Sequence, residues 1–199
     1  MRSRSMTSYL KLQIKSAWTK SETVNALRRW ENFYLLKSMT FEEPLRLHLG
    51  CGRRHLDGYV NIDHLKTDAT DKVLDIRRLP FKDNSVEIIE TYHVIEHLPR
   101  HDLPKVLKEW RRILAPGGKL VIECPNLDES VKEYLQGNDE RLDNIFGKQR
   151  FPGDIHLFGY NFRRLRELLE VCEYRDIKEC LPKDYHVQQE PCLRVECIK

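Results

Sequence analysis

Short apolar segments alternate with polar turns over most of this chain, and they predict a series of strands. The first strand ends just before Gly50, and the second ends on Asp63. Short apolar runs bounded by turn residues are typical of strands buried in a sheet. We predict further strands at residues 73–76, 85–91, 119–124, 174–180 and 193–198.

Two stretches between these strands have helical periodicity instead. Residues 103–114 place apolar side chains on one face, with Asp102 as the N-cap candidate. We expect the Gly117-Gly118 pair to supply the left-handed residue that ends this helix. A second helix is predicted at 162–172. Strands interspersed with helices indicate an α/β domain.

The turn after the first strand has the residues of a ligand site. Gly50 and Gly52 flank Cys51, and glycine is needed where a strand turns sharply and a ligand must approach the backbone. Asp63 ends the neighbouring strand, and a carboxylate there can accept two hydrogen bonds from a ribose diol. A Gly-x-Gly pair alone is a weak signal, because it occurs in many loops.

The crossovers that follow this turn are short. The intervals from Gly52 to Asp63 and from Asp63 to Asp75 do not each have room for a strand and a full helix. We therefore predict a single-turn or absent helix after the glycine turn and a short helix before Asp75. A helix N-terminus would then contribute less than usual to anion binding at the site.

The composition is that of one domain with extensions. Of the 199 residues, 40% are hydrophobic, which is enough for a single core. No apolar run approaches the roughly 20 residues of a membrane span, and we expect no signal peptide. The six cysteines include no C-x-x-C pair, so we expect reduced thiols and a cytoplasmic location.

Basic charge is concentrated near the amino terminus. Residues 1–40 hold eight Lys or Arg and two Glu, a balance of +6, whereas the whole chain carries +3. We assign residues 1–42 to a basic, partly helical extension, supported by a capping box at 19–22, and residues 43–199 to the main domain. The extension could pack on the domain, touch a membrane surface, nucleic acid or an acidic glycan, cover the substrate, or contribute to a homodimer.

Five sequence motifs follow one another along the chain, namely LHLGCG, VNID, LDIRRLPF, HVIEHL and ILAPGGKLVIECPN. In this combination residues 45–126 resemble the class I S-adenosylmethionine-dependent methyltransferases, and most of all the small type 11 group often found in glycan and lipopolysaccharide clusters. A weaker likeness extends to about residue 170. The resemblance implies a Rossmann-like, doubly wound, seven-stranded mixed sheet with an antiparallel carboxyl-terminal hairpin.

The resemblance also implies that S-adenosylmethionine binds at the glycine turn. Gly50, Cys51 and Gly52 are expected beneath the methionine and ribose, where small residues are required. Asp63 is expected to hold the ribose hydroxyls. An ordinary tight turn and a plain strand-end carboxylate are the structural alternatives.

Three further residues complete the expected cofactor site. Asp75 should approach the adenine amine, with the backbone amide of Ile76 on a ring nitrogen. His93 follows the fourth strand, where the family lines the methionine end. A helix cap or a turn residue is the alternative for Asp75.

Two histidines are our candidates for a general base. A base is needed only if the acceptor loses a proton, as a sugar hydroxyl would, and histidine titrates near neutral pH. His97 and His156 lie in regions that face the acceptor in this fold. Each could instead be a structural histidine that caps a turn, and Glu96 is expected to be a structural hydrogen-bond acceptor.

Residues 93–97 also spell H-x-x-E-H, the pattern of inverted zinc metallopeptidases. That chemistry needs both histidines on one face of a long helix and a third ligand from elsewhere. Here the pattern follows a strand and directly precedes Leu98-Pro99, which leaves no room for such a helix. We predict no metal site, although imidazoles bind transition metals readily.

The segment 127–158 follows the fifth strand and should lie over the acceptor pocket. We expect a small-molecule or glycan acceptor, methylated on oxygen. Arg150 and Asp154 could recognise it or simply pair with each other. Arg163 and Arg164 are better explained as a solvated helix face, so nucleic acid is not an expected partner.

Two other functions remain open from the sequence. The chain could bind S-adenosylmethionine without catalysis, as a subunit of a modifying complex, because its crossovers are trimmed and no base is unmistakable. It could also be a nucleotide-sugar or NAD-binding oxidoreductase with the same glycine turn, although a third glycine at the usual spacing is missing. Turnover on an acceptor panel discriminates the first alternative, and nicotinamide binding the second.

Overall fold

The computed structural model describes residues 45–199. The predicted extension at 1–42, its capping box and its possible contacts lie outside the described residues. The boundary that we predicted at residue 43 also falls outside them, so the domain division stays a prediction.

A seven-stranded sheet with strand order β3-β2-β1-β4-β5-β7-β6 forms the framework of the domain. The first five strands run parallel, whereas β7 is antiparallel to both of its neighbours. This confirms the predicted Rossmann-like mixed sheet with an antiparallel carboxyl-terminal hairpin. The strands are β1 (Leu45–Leu49), β2 (Val60–Asp63), β3 (Lys72–Val73), β4 (Val86–Tyr92), β5 (Leu114–Pro125), β6 (Arg175–Cys180) and β7 (Cys192–Ile198).

The helices of the described residues follow β4 and β5. Both predicted helices are confirmed, as α1 and α4, within one residue of their expected ends. In addition, 3₁₀ turns occur at Ile95–His97 and Tyr185–Gln188. The helices are α1 (Leu103–Ile113), α2 (Leu127–Leu135), α3 (Arg141–Phe146) and α4 (Phe162–Val171).

One apolar core joins α1 and α4 to a single face of the sheet. The apolar stripe of α1 is buried, and the indole N–H of Trp110 donates to the Ile76 carbonyl at 2.9 Å. The Tyr174 hydroxyl, directly after α4, donates to the Leu107 carbonyl at 2.9 Å. These buried hydrogen bonds fix both helices, and the residues that follow β3, against the sheet.

Many of the strand residues between these core positions are polar. In β1, His48 lies between two core leucines and pairs with Asn61 at 2.9 Å. In β5, Glu123 is fully buried and accepts from Arg194 of β7 at 3.1 Å. Since successive strand residues point to opposite faces, the second face of the sheet carries paired charges where the first carries the core.

The crossovers are as short as predicted, with one correction. Among the described residues no helix lies between β1 and β2, which confirms the trimmed glycine-turn region. The short helix expected before Asp75 is absent as well. There the Thr67 and Thr70 hydroxyls, 2.9 Å apart, hold a compact loop, because side-chain oxygens satisfy the backbone that a helix would otherwise pair.

The predicted role of Gly117-Gly118 is wrong. Helix α1 already ends at Ile113, and the glycines lie inside β5. The β4–β5 register jumps there, from Val86 opposite Leu114 to Ile88 opposite Lys119. Gly117, at φ +78°, therefore supplies the left-handed residue of a strand irregularity rather than a helix cap.

Candidate functional site at the carboxyl ends of the strands

The glycine turn is closed by the neighbouring strand. The backbone amides of Gly50 and Cys51 both donate to the Ile62 carbonyl, at 2.8 and 3.0 Å. Gly50 and Gly52 have φ values of +72° and +54°, which only glycine adopts without strain. The turn therefore reverses within three residues directly beside the end of β2.

Asp63 is anchored beneath this turn. Its Oδ2 accepts from the Gly52 amide at 2.8 Å, and its Oδ1 accepts from the Leu65 amide at 2.9 Å. The side chain is nearly buried, with His64 Nδ1 3.0 Å from Oδ1. A carboxylate oxygen has two lone pairs, so this arrangement orients the group and leaves acceptor capacity for a ligand hydroxyl.

The two glycines differ in what surrounds them. A Cβ added to Gly50 would lie 2.2 Å from Cγ2 of Val94, which follows β4, so Gly50 permits close packing between the two turns. A Cβ added to Gly52 would meet no atom within 4 Å among the described residues. Gly52 is thus the position at which another molecule can approach the backbone.

Cys51 contributes its backbone to the turn, and its side chain points into the protein. The thiol is buried, and Sγ lies 3.7 Å from the Thr70 hydroxyl. Burial raises the pKa of the Cys51 thiol above its ordinary value. The thiol therefore stays protonated and unreactive at neutral pH.

Asp75 and Ile76 follow β3, at the same edge of the sheet as Asp63. The Asp75 carboxylate is partly exposed, forms an ion pair with the Arg77 guanidinium at 2.7 Å, and accepts from the Arg77 amide at 3.0 Å. The Ile76 carbonyl is held by Trp110 of α1. Both residues thus have fixed positions, and Asp75 keeps a solvent-facing side.

His93 is placed differently from the other predicted cofactor residues. It has a left-handed φ of +52°, and its amide donates to the Glu123 carbonyl at 2.8 Å. Its ring stacks on His186 with the centroids 3.9 Å apart, and Nδ1 lies 3.3 Å from both Glu96 and Glu190. Burial alone lowers the pKa of His93, but the neighbouring carboxylates outweigh it, and the net shift is upward.

The two predicted bases are brought together. The rings of His97 and His156 lie 4.9 Å apart at 79°. The contact depends on pairing between two segments, since the Leu157 amide donates to the Glu96 carbonyl at 2.7 Å and the His156 amide to the Phe146 carbonyl at 3.0 Å. Glu96 itself is buried beside both histidines.

An ion pair missed by the sequence reasoning lies beside the glycine turn. The Arg54 guanidinium pairs with the buried carboxylate of Asp184 and lies 4.8 Å from the centre of the Tyr92 ring. Asp184 is fixed by its own amide, which donates to Glu123 at 2.8 Å. The signal available in the sequence was a charged Glu123 inside a strand of apolar residues, because such a group needs buried partners.

The segment after β5 carries exposed apolar side chains. Helices α2 and α3 occupy much of it, and Phe146 and Phe151 are more than half exposed. Arg150 and Asp154, the candidates for substrate contact, form an ion pair with each other at 2.8 Å.

No helix within residues 45–199 combines the length and apolar character that crossing a bilayer requires.

Comparison with known proteins agrees with this geometry. The family model described as "Methyltransferase domain", of the type 11 group, matches residues 59–122. This segment runs from the residue before β2 through most of β5. It therefore includes Asp63, Asp75 and the 93–97 turn, and it begins after the glycine turn.

Relatives of known sequence match over part of their length. An uncharacterised protein of Methanocaldococcus jannaschii is 41% identical over 86 residues, which cover 43% of this chain and 35% of that protein. The sterol 4-C-methyltransferase strm-1 of Caenorhabditis elegans is 30% identical over 66 residues, covering 31% of this chain and 19% of that enzyme. The chain thus spans about a third or less of these relatives.

Solved structures share the whole fold. A Thermotoga maritima S-adenosylmethionine-dependent methyltransferase, described as a possible histamine N-methyltransferase, superposes with a TM-score of 0.55 at 18% identity. The superposition covers 89% of this chain and 97% of that one. Together with the ordered motifs and the strand order, these matches confirm the predicted resemblance to the class I S-adenosylmethionine-dependent methyltransferases of the type 11 group.

Proposed function

We propose that this protein transfers the methyl group of S-adenosylmethionine to an oxygen atom of a small molecule or glycan. The observation that carries the proposal is the open space above the Gly52 backbone, directly beside the anchored carboxylate of Asp63. A glycine whose missing Cβ leaves room for a ligand, next to a carboxylate with free lone pairs, suits a ribose and the atoms attached to it. The cofactor supplies an already activated methyl group on a sulfonium.

The cofactor contacts that we propose follow from where each residue lies. Asp63 would accept from the ribose hydroxyls while the Gly52 and Leu65 amides hold it in place. The partly exposed Asp75, at the end of β3, would accept from the adenine amine. The remaining proposed contacts are the backbone of Gly50 and Cys51 with the methionine, the amide of Ile76 with the adenine, and His93 at the methionine end.

The residues that we propose for proton removal are His97 and His156. In each ring Nδ1 lies 2.8 Å from a backbone carbonyl, of Ile155 and Asn144 respectively. A carbonyl only accepts, so Nδ1 carries the hydrogen and Nε2 has the free lone pair in the neutral ring. That nitrogen could accept the proton of an acceptor hydroxyl as the oxygen attacks the methyl carbon.

The acceptor would bind beneath the segment after β5. Exposed Phe146 and Phe151 offer apolar faces for a sugar ring or another small molecule. The nematode relative is named for methylation of a sterol carbon, so a carbon acceptor is the alternative to test.

All six cysteines are free, which supports the proposed cytoplasmic location.

The experiment is a transfer assay with S-adenosylmethionine labelled in its methyl group. Sugars, lipopolysaccharide fragments, small phenols and sterols would be offered to the full chain, to Asp63→Asn and to the matched control Asp57→Asn, whose side chain is fully exposed. We expect label on a hydroxyl acceptor with the native chain and the control, and at least a tenfold loss with Asp63→Asn. Label on carbon, or equal transfer by all three proteins, would contradict the proposal.

A further inference from the structure

Three metal-ligating side chains converge from two separate segments. Glu96 and His97 come from the 3₁₀ turn after β4, and His156 comes from the loop before α4. One potential ligand atom of each lies within 4.8 Å of those of the other two. The backbone pairing between Glu96 and Leu157 holds the two segments together, so the cluster belongs to the fold itself.

The histidines are oriented as metal ligands are. Each uses Nδ1–H for a 2.8 Å hydrogen bond to a backbone carbonyl, so that in the neutral ring the lone pair is on Nε2. Histidines that bind metals usually donate their other ring N–H to a carbonyl or a carboxylate, because this fixes the tautomer and the ring. Both rings are only half-buried, so the cluster is open on one side.

Glu96 is only partly compensated by the protein. Its side chain is 2% exposed, and neither carboxylate oxygen accepts a hydrogen bond from the described residues. His93 Nδ1 is 3.3 Å from Oε1, but it is equally close to Glu190. A buried carboxylate that shares one imidazole with a second carboxylate stays costly unless a further cation or a ligand compensates it.

A small cavity lies beside this carboxylate. Glu96 and His156 line it together with Leu127 at the start of α2 and Phe158. The hydroxyl of Tyr160, another lining residue, is buried and likewise lacks a hydrogen-bond partner within the described part of the chain. Two orphaned polar groups at one cavity indicate that it accommodates a polar occupant.

We propose that Glu96, His97 and His156 bind a divalent transition-metal ion. Two imidazole nitrogens and one carboxylate oxygen are the donor set of many catalytic zinc and iron sites, which keep a position open. Bonds of about 2.1 Å require ligand atoms roughly 3.4 Å apart, and the candidate atoms lie within 4.8 Å of one another, so the side chains would move closer together on binding. Mg²⁺ and Ca²⁺ prefer oxygen ligands alone and fit this set less well.

The open position would receive the acceptor oxygen, an extension that rests on the proposed methyltransferase function. Coordination lowers the pKa of a hydroxyl, so the acceptor would release its proton to solvent. With the metal bound, the Nε2 lone pairs of His97 and His156 would hold the ion, and the two histidines would act as ligands instead of as bases. The oxygen would then form the bond to the methyl carbon, while the electrons of the broken carbon–sulfur bond return to sulfur. Val94 packs on Gly50, so the metal-bearing turn and the glycine turn are direct neighbours.

The test uses Zn²⁺ alone as the probe on the full chain. After treatment with a chelator, the protein is titrated with Zn²⁺ by calorimetry, and with Co²⁺ while its absorption spectrum is recorded. All eight histidines and all six cysteines lie within residues 45–199, so the described residues contain every strong nitrogen and sulfur side-chain ligand. We expect one ion per chain, and at least a tenfold weaker affinity in Glu96→Gln and in His156→Gln.

Two controls make the result specific. His101→Gln removes an exposed histidine outside the cluster and should leave the affinity within twofold. His186→Gln removes a histidine of a neighbouring group formed with His93 and Asp184, and it should also leave the affinity unchanged. Circular dichroism of each variant would establish that it is folded.

Three results would overturn the metal site. They are no saturable binding by the folded native chain, equal affinity in His156→Gln, and a loss confined to His186→Gln. Binding of S-adenosylmethionine to the metal-free protein would be measured separately. Cofactor binding without zinc binding would refute only the metal site, whereas one bound zinc without cofactor binding would refute the methyltransferase proposal and leave the site standing.

Discussion

Substitution of Gly50 by alanine tests the packing between the glycine turn and the turn after β4. Alanine must first adopt a φ of +72°, which costs about 1–2 kcal/mol. Its Cβ would also lie 2.2 Å from Val94 Cγ2, and relieving such an overlap costs a further 1–3 kcal/mol or so. We therefore expect the free energy of unfolding to fall by about 2–5 kcal/mol.

Gly58→Ala is the matched control for the cost of placing alanine at a positive φ. Gly58 has a φ of +78°, and an added Cβ would meet no atom within 4 Å among the described residues, so only the cost of about 1–2 kcal/mol applies. Urea denaturation of both variants measures the difference. Adding Val94→Ala to Gly50→Ala should recover at least about 1 kcal/mol in a double-mutant cycle. Equal losses in the two glycine variants, or no recovery, would refute the reasoning.

Two further predictions concern the loop before α4 and acid stability. In Gly147→Ala the Cβ would lie 2.8 Å from the Asp154 carbonyl oxygen and 2.9 Å from the His156 amide nitrogen. We therefore expect urea denaturation to show a free energy of unfolding that is lower by about 3 kcal/mol, and we expect weaker zinc binding. Unchanged zinc affinity would contradict this prediction. Burial alone raises the pKa of Glu109, but Arg112 and the Leu79 amide lower it below its ordinary value. The ionised Glu109 therefore stabilises the folded protein fully above the pKa that Glu109 has in the unfolded chain, and this stabilisation is lost as pH falls through its pKa in the folded protein. Glu109→Gln should lower the free energy of unfolding by about 1–3 kcal/mol at pH 7 and should reduce the loss of stability that urea denaturation measures between neutral and acid pH. An unchanged loss of stability between neutral and acid pH would count against the second prediction.

The succession of strands could be predicted because each has a local pattern, whereas the mixed sheet itself was implied by the family resemblance. Short apolar runs ending at Leu49, Asp63 and Thr91 predict buried strands, and the glycine turn and Asp63 mark the edge at which they end. The register jump at Gly117 could not be predicted, since a Pro-Gly-Gly motif usually ends an element. Contacts with β4 and with Lys199, directly after β7, keep it in the sheet.

The candidate site residues could be selected from the sequence one by one, but their arrangement could not be predicted. His97 and His156 were singled out separately, and their contact depends on a backbone hydrogen bond between Leu157 and Glu96, which no local pattern encodes. From the sequence we predicted no metal site, because we considered the H-x-x-E-H motif only as part of a long helix. The third candidate ligand, His156, comes from a distant loop. The ion pair of Arg54 is equally non-local.

The central claim, that S-adenosylmethionine binds at Gly52 and Asp63, is tested most directly by calorimetric titration. In Asp63→Asn the amide NH₂ would face one of two backbone N–H groups, and the charge is lost, at a cost of about 1.5–3 kcal/mol. We predict saturable binding of S-adenosylmethionine to the native chain and to Asp57→Asn, at least tenfold weaker binding to Asp63→Asn, and no binding of NAD. No binding by the folded native chain, or equal affinity in Asp63→Asn, would contradict the claim.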